Sequence, residues 1–204
     1  MWQQAQCVFE RDTVVEKKSP ESIHKTMPGV SAPGIPMADF AIANIATIVV
    51  GLGNPILGDD GVGWHVAEQV MQTLRQNPPA GPDIVVEFLS LGGLNLMEHL
   101  IGYDRAIIID AIVTGAGPHG SVHCFPLDGL PDNSGGHMTA IHDTSLQTAL
   151  RVGRSMGAQL PQDITIIGVE SPYVYDFSDS LTPLVSAAVP EAVQAVLDIL
   201  YGTV

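Results

Sequence analysis

The stretch 48–63, IVVGLGNPILGDDGVG, limits what this chain can fold into more than any other. It opens with Ile48, Val49 and Val50, a β-branched apolar run of the kind that an interior strand of a parallel sheet requires. Gly51 and Gly53 then allow a sharp turn and a close approach to the backbone. Asn54 can hydrogen-bond its own turn, and Pro55 fixes φ just after it. Asp59 and Asp60 precede Gly61, and from there Val62, Val66, Val70 and Leu74 recur at helical spacing. One of the two carboxylates is expected to cap that helix, where free N–H groups need an acceptor. The second has no local task. Two adjacent acids following a sheet strand stand where ligands bind in open α/β folds.

The same alternation runs through the rest of the chain. Strands are expected at 46–51, 84–89, 105–110, 121–125 and 163–168. Helices are expected at 61–76 and 94–101, from near His142 with Leu146 and Leu150 on one face, and from Pro183 onward. In the last helix Val185, Ala188, Val189, Ala192, Ala195, Val196 and Ile199 form a broad apolar face. Strands alternating with helices imply an α/β three-layer sandwich, with a mainly parallel, five-stranded twisted sheet flanked by helices. Residues 1–40 are different: Pro20, Pro28, Pro33 and Pro36 interrupt a polar stretch with little periodicity. They are expected to form a disordered extension, or an upstream-start artefact with Met37 as the true beginning, ahead of one α/β domain over 41–204.

Charge narrows the partners. Of eight Lys+Arg and 22 Asp+Glu, four and five lie before residue 41, leaving a body with four arginines, no lysine and a net charge of −13. Binding a polyanion requires clustered basic side chains, so this body argues against a nucleic-acid partner. No run in the sequence reads as a membrane span of ~20 apolar residues, and the first forty residues lack the apolar stretch of a secretory signal. Cys7 and Cys124 are the only cysteines, too few for a disulfide framework or an all-thiolate metal site. A reducing cytoplasm is the expected setting.

Three side chains could combine at one edge of the sheet. Asp60 ends the turn after the first strand. Asp110 ends the third expected strand after four apolar residues, although alone it could equally be a cap or turn former. His142 follows a flexible loop at the start of a helix, where a lone histidine is usually a cap or solvated. Loops following parallel strands open on one rim, so the three can meet there. Two carboxylates and an imidazole make an O/O/N donor set suited to Ni, Zn or Fe. Other candidates are weaker. His119 and His123 straddle a Gly-Pro loop, His65 and Glu68 share a helix face, Ser171 and Cys124 lack a nucleophile signature, and Trp64 and Tyr103 read as packing residues. Gly51-x-Gly53 invites a dinucleotide reading, but the third glycine of that fingerprint would fall at Ile56.

At these residues the sequence resembles the hydrogenase maturation endopeptidases. The resemblance covers roughly residues 46–200. It rests on GLGNPILGDDGVG, on GGLNLMEHLIGYDRAIIIDAI with GPHGSV behind it, on His142-x3-Leu146-x3-Leu150, and on IIGVE and LTPLV. It implies an endopeptidase that removes the C-terminal extension of the large subunit of a nickel–iron hydrogenase once nickel is inserted. The immature large subunit would be the partner, and nickel would arrive already bound in it. The family's metal-contacting and catalytic positions carry over onto Asp60, Asp110 and His142, with His137 close to the third. Asp60 stands where several members carry Glu, which shortens the reach and keeps the charge. Two alternatives are a nickel metallochaperone without protease activity and, less favoured, a peptidyl-tRNA hydrolase-like enzyme. The latter shares GLGNP but needs a basic surface and a His-Asn pair that this chain lacks.

Overall fold

The computed structural model describes residues 47–79, 83–115, 117–127, 145–172, 174 and 177–202. The expected extension 1–40 lies outside them. Five strands form one sheet: β1 Thr47–Leu52, β2 Ile84–Leu89, β3 Arg105–Ile112, β4 Val122–Pro126 and β5 Asp163–Glu170. Their order is β2-β1-β3-β5-β4, with β4 antiparallel to β5 and every other pair parallel. The four helices are α1 Val62–Gln76, α2 Gly93–His99, α3 Leu146–Ser155 and α4 Pro183–Tyr201. A 3-10 turn, Gly58–Gly61, links β1 to α1.

Strand alternation builds the layers. In β1 and β3, Val49, Ile107 and Ile109 point to one side and meet Val66 and Val70 of α1 and Val189 and Val196 of α4. Ile48, Val50 and Ile108 point to the other side and meet Leu96 of α2 and Leu150 of α3. Successive side chains on a strand face opposite ways, so a strand buried on both faces must be apolar almost throughout. This explains why β1 is buried along its whole length. Each fully buried Val or Ile contributes about 1.5–3 kcal/mol over its exposed state, so the interior strands anchor the fold.

Two sequence expectations are corrected here. The third strand does not stop at Asp110: Ala111 and Ile112 go on pairing with Val169 and Glu170, so Asp110 lies inside β3. The helix expected from near His142 starts at Leu146. Ser145 is its N-cap, and its hydroxyl accepts the Thr148 N–H at 3.3 Å.

Helix α4 has the length and composition to cross a membrane, with a mean hydropathy of 1.4 over its most apolar window. It packs instead on α1, β4 and β5, burying Val185, Val189, Ala192, Val196 and Ile199. Pro183 takes the first helical position, where its missing N–H costs nothing, and Gly202 ends the helix in a left-handed cap.

Candidate active site

After β1 the chain leads into α1 and β2 on one side, and after β2 it returns past β1 to β3. The crevice between the ends of β1 and β3 is therefore the point where the winding reverses, the usual ligand site of such sheets. The residues of 48–63 press a tight turn into that crevice. Gly53 adopts φ +120°, and a Cβ there would lie 1.8 Å from the Asp60 carbonyl oxygen. A Cβ on Gly63 would lie 2.2 Å from the Leu52 oxygen and 2.4 Å from the Ile109 oxygen. No side chain fits at either place, so α1 begins in contact with the backbones of both strands. The Asn54 side chain accepts the Ile56 N–H at 3.2 Å, and the Asn54 N–H donates to Asp60 Oδ2 at 2.6 Å. The turn thus fixes the orientation of Asp60. Ser178 braces its outer side, exchanging backbone bonds with Ile56 and Gly58 at 3.2 and 2.8 Å.

The two neighbouring acids have separate surroundings. Asp59 is fully buried. Its carboxylate accepts from the Ser171 hydroxyl at 2.6 Å, the Thr182 N–H at 2.6 Å and the Thr182 hydroxyl at 2.9 Å. It makes no side-chain capping bond to α1 or to its own 3-10 turn. Asp59 is therefore not the cap of α1, because it is spent on tying the turn to the end of β5 and the start of α4. Asp60 is half-buried and faces Asp110. Asp110, 3% exposed, is pushed up to about 8 by burial first and by the nearby Asp60 carboxylate second, against a smaller opposing hydrogen bond from the Ala111 backbone. Glu170, also buried, plays a local part: it accepts from the Thr114 and Gly115 N–H groups at 2.9 and 2.8 Å, and from the Thr114 hydroxyl at 2.6 Å.

Asp60 lies near enough to Asp110 for its charge to raise the Asp110 pKa. Both His142 and the neighbouring His137 lie outside the described residues. Strand β4 is antiparallel to β5 and ends, at Pro126, level with Thr165 near the start of β5. Among the described residues no group of three His, Cys, Asp or Glu side chains could hold a metal ion. Two carboxylates are a partial donor set for a hard or borderline cation, and a third donor has to come from elsewhere.

The weaker candidates resolve into structural roles. His119 sits in the loop ahead of β4 and His123 within that strand, so they share no helix. Trp64 donates Nε1–H to the Leu89 carbonyl at 3.2 Å and packs against Phe88, ring centroids 5.6 Å apart. Tyr103 packs against the cluster beneath α2 and α3. Sequence reasoning missed Thr182 and gave Ser171 no role. The Thr-Pro pair marks a helix start, but nothing local links it to an aspartate 123 positions earlier.

Comparison with known proteins gives one consistent result. The family model HycI, hydrogenase maturation protease, matches residues 64–199. The chain is 29% identical over 153 residues to the hydrogenase expression/formation protein HoxM of Cupriavidus necator, covering 75% of this chain and 73% of that one. It is 29% identical over 152 residues to the hydrogenase 2 maturation protease of Escherichia coli, covering 74% and 87%. Among solved structures, the hydrogenase maturating endopeptidase HybD from E. coli superposes with a TM-score of 0.61 at 28% identity, covering 78% of this chain and 93% of the other. With the same layered sheet, the chain belongs to the hydrogenase maturation protease family and is a peptidase.

Proposed function

We propose that this protease removes the C-terminal extension of the large subunit of a nickel–iron hydrogenase after nickel insertion, and that it recognises the nickel already held by that subunit through Asp60, Asp110 and His142. The observation that carries this reading is the pairing of Asp60 with the buried Asp110 at the switch point. Two neighbouring carboxylates, one of them buried, cannot both ionise cheaply, and the buried one retains a proton. A divalent cation brought in by the substrate supplies the charge that lets both ionise and both bind. A precursor without nickel brings no such charge, so the same pair distinguishes loaded from unloaded substrate. Asp60, the more exposed acid, is the one placed to accept a proton from water attacking a metal-polarised carbonyl. The net charge of −13 in the body further supports a cationic feature in the substrate and argues against nucleic acid.

Mass spectrometry of nickel-loaded and nickel-free precursor, before and after incubation with the protein, tests the proposal. Wild type and His137→Ala should shorten the loaded precursor only, whereas Asp60→Asn and His142→Ala should leave it intact. Equal cleavage of both precursors would remove nickel as the checkpoint. Loss of nickel from the precursor without cleavage would favour a metallochaperone.

A further inference from the structure

Among the described residues, six of the ten large exposed apolar side chains lie in segments at one end of the sheet, while Ile101, Val152, Met156 and Tyr201 lie elsewhere. Ile56, 58% exposed, lies in the turn after β1, and Leu91 and Leu94 lead from β2 into α2. Val113 follows β3. Phe177, 86% exposed, precedes Ser178, whose N–H donates to the Ile56 carbonyl, so the two side chains belong to adjoining segments. Leu184, 59% exposed, stands in the first turn of α4, beside the loop that opens β4. All six lie in segments that follow or adjoin the carboxyl ends of the parallel strands, the end of the sheet nearer Asp60 and Asp110.

The arginines lie elsewhere. Arg75 is in the last turn of α1, and Arg105 opens β3 and reaches the Ile199 carbonyl near the end of α4. Arg154 bonds the Pro161 carbonyl ahead of β5, and Arg151 lies one turn before it. Among the described residues, this rim therefore combines apolar side chains with acids and carries neither arginine nor lysine.

We infer that these six side chains form a docking collar for an extended, apolar segment of the precursor polypeptide with neutral or basic flanks. Bound there, the segment lies across Asp60 and Asp110. The inference rests on the functional reading above and names the surface that reading leaves open. Exposed apolar surface grouped around a functional centre marks an interaction site. Charge selects the occupant: an acidic segment would meet Asp60, Asp110 and the exposed Asp179 with no arginine or lysine among the described rim residues to offset them. Phe177 and Ile56 are the expected anchors, because aromatic and large aliphatic side chains near the centre dominate such contacts.

The test compares Phe177→Ser, Ile56→Ser and the double variant with Met156→Ser, a control 81% exposed in the turn that ends α3. Steady-state processing of nickel-loaded precursor should show KM rising about tenfold in the double variant, with kcat and the melt unchanged and Met156→Ser like wild type. Unchanged KM in the double variant, with wild-type processing intact, overturns the collar and leaves the functional reading standing. Binding of precursor to immobilised protein separates the two claims. Wild-type binding that weakens in the double variant supports the collar even where no cleavage occurs, a result that instead counts against the protease reading. Sedimentation showing a wild-type dimer that dissociates in Phe177→Ser would assign the surface to a second copy of the chain and overturn the inference.

Discussion

Two carboxylates are buried where the 3-10 turn meets the sheet, and their surroundings differ in kind. At Asp59 the turn meets the end of β5 and the start of α4, and three donors from Ser171 and Thr182 satisfy the charge. At Asp110 the turn meets β3, and the facing group is another acid, Asp60. A buried carboxylate surrounded by donors is a structural tie; one that faces a second carboxylate stores an electrostatic cost that a cation can relieve. Burial by itself does not separate these roles. The partners do, and the backbone places the two kinds of site one residue apart.

The sharpest way to break this contrast is Asp59→Asn. The amide keeps an acceptor oxygen for the Thr182 N–H but puts a donor where the Ser171 and Thr182 hydroxyls now donate. Both hydroxyls must then turn round, and the charge-assisted bonds of a buried site are lost. A loss of about 4 kcal/mol is expected, a melting decrease of about 10 °C for a domain of this size. Urea denaturation checks it. A loss near 1 kcal/mol, the value for a simple helix cap, would mean that the tie is dispensable.

Asp110→Asn should act in the opposite direction. The folded pKa of Asp110, about 8, lies above its ordinary value of 3.8. Between these values the folded state holds a proton that the unfolded chain has released, so stability falls as pH rises from about 4 to 8 and levels off beyond. Removing the group removes that slope and adds on the order of 2–3 kcal/mol at pH 8, while processing of loaded precursor is lost. Melting curves from pH 4 to 9 for both proteins measure the difference. Parallel curves would show that Asp110 is not under electrostatic stress.

Ser171→Ala removes one of the three donors to Asp59 and should cost about 1–2 kcal/mol with processing retained. Asp60→Asn should have the smallest effect on stability, under about 1 kcal/mol, because the side chain is half-exposed and an amide oxygen can still accept the Asn54 N–H. It should abolish processing and lower the Asp110 pKa by removing the neighbouring charge, narrowing the pH window over which stability falls. An Asp60→Asn protein that processes normally while Asp59→Asn fails with an unchanged melt would reverse the two roles.

The amino-acid sequence by itself determined the layer order and most element bounds. Apolar β-branched runs can be satisfied only as interior strands, and 84–89 matches Ile84–Leu89 at both ends. Helical spacing from Val62 locates α1, and Thr182-Pro183 locates the start of α4. Asp60 and Asp110 were singled out together because each was expected where a parallel strand ends. What only the tertiary structure decided depends on contacts between distant segments. Asp59 binds residues 112 and 123 positions away, a relation no local pattern encodes. Strand β3 outlasts Asp110 because β5 offers Val169 and Glu170 as pairing partners, which converts an expected rim acid into a buried one. The antiparallel sense of β4 is likewise set by its pairing with the distant β5 and by no local pattern. Period and propensity act over a few residues, whereas burial, register and charge coupling arise only when the sheet is assembled.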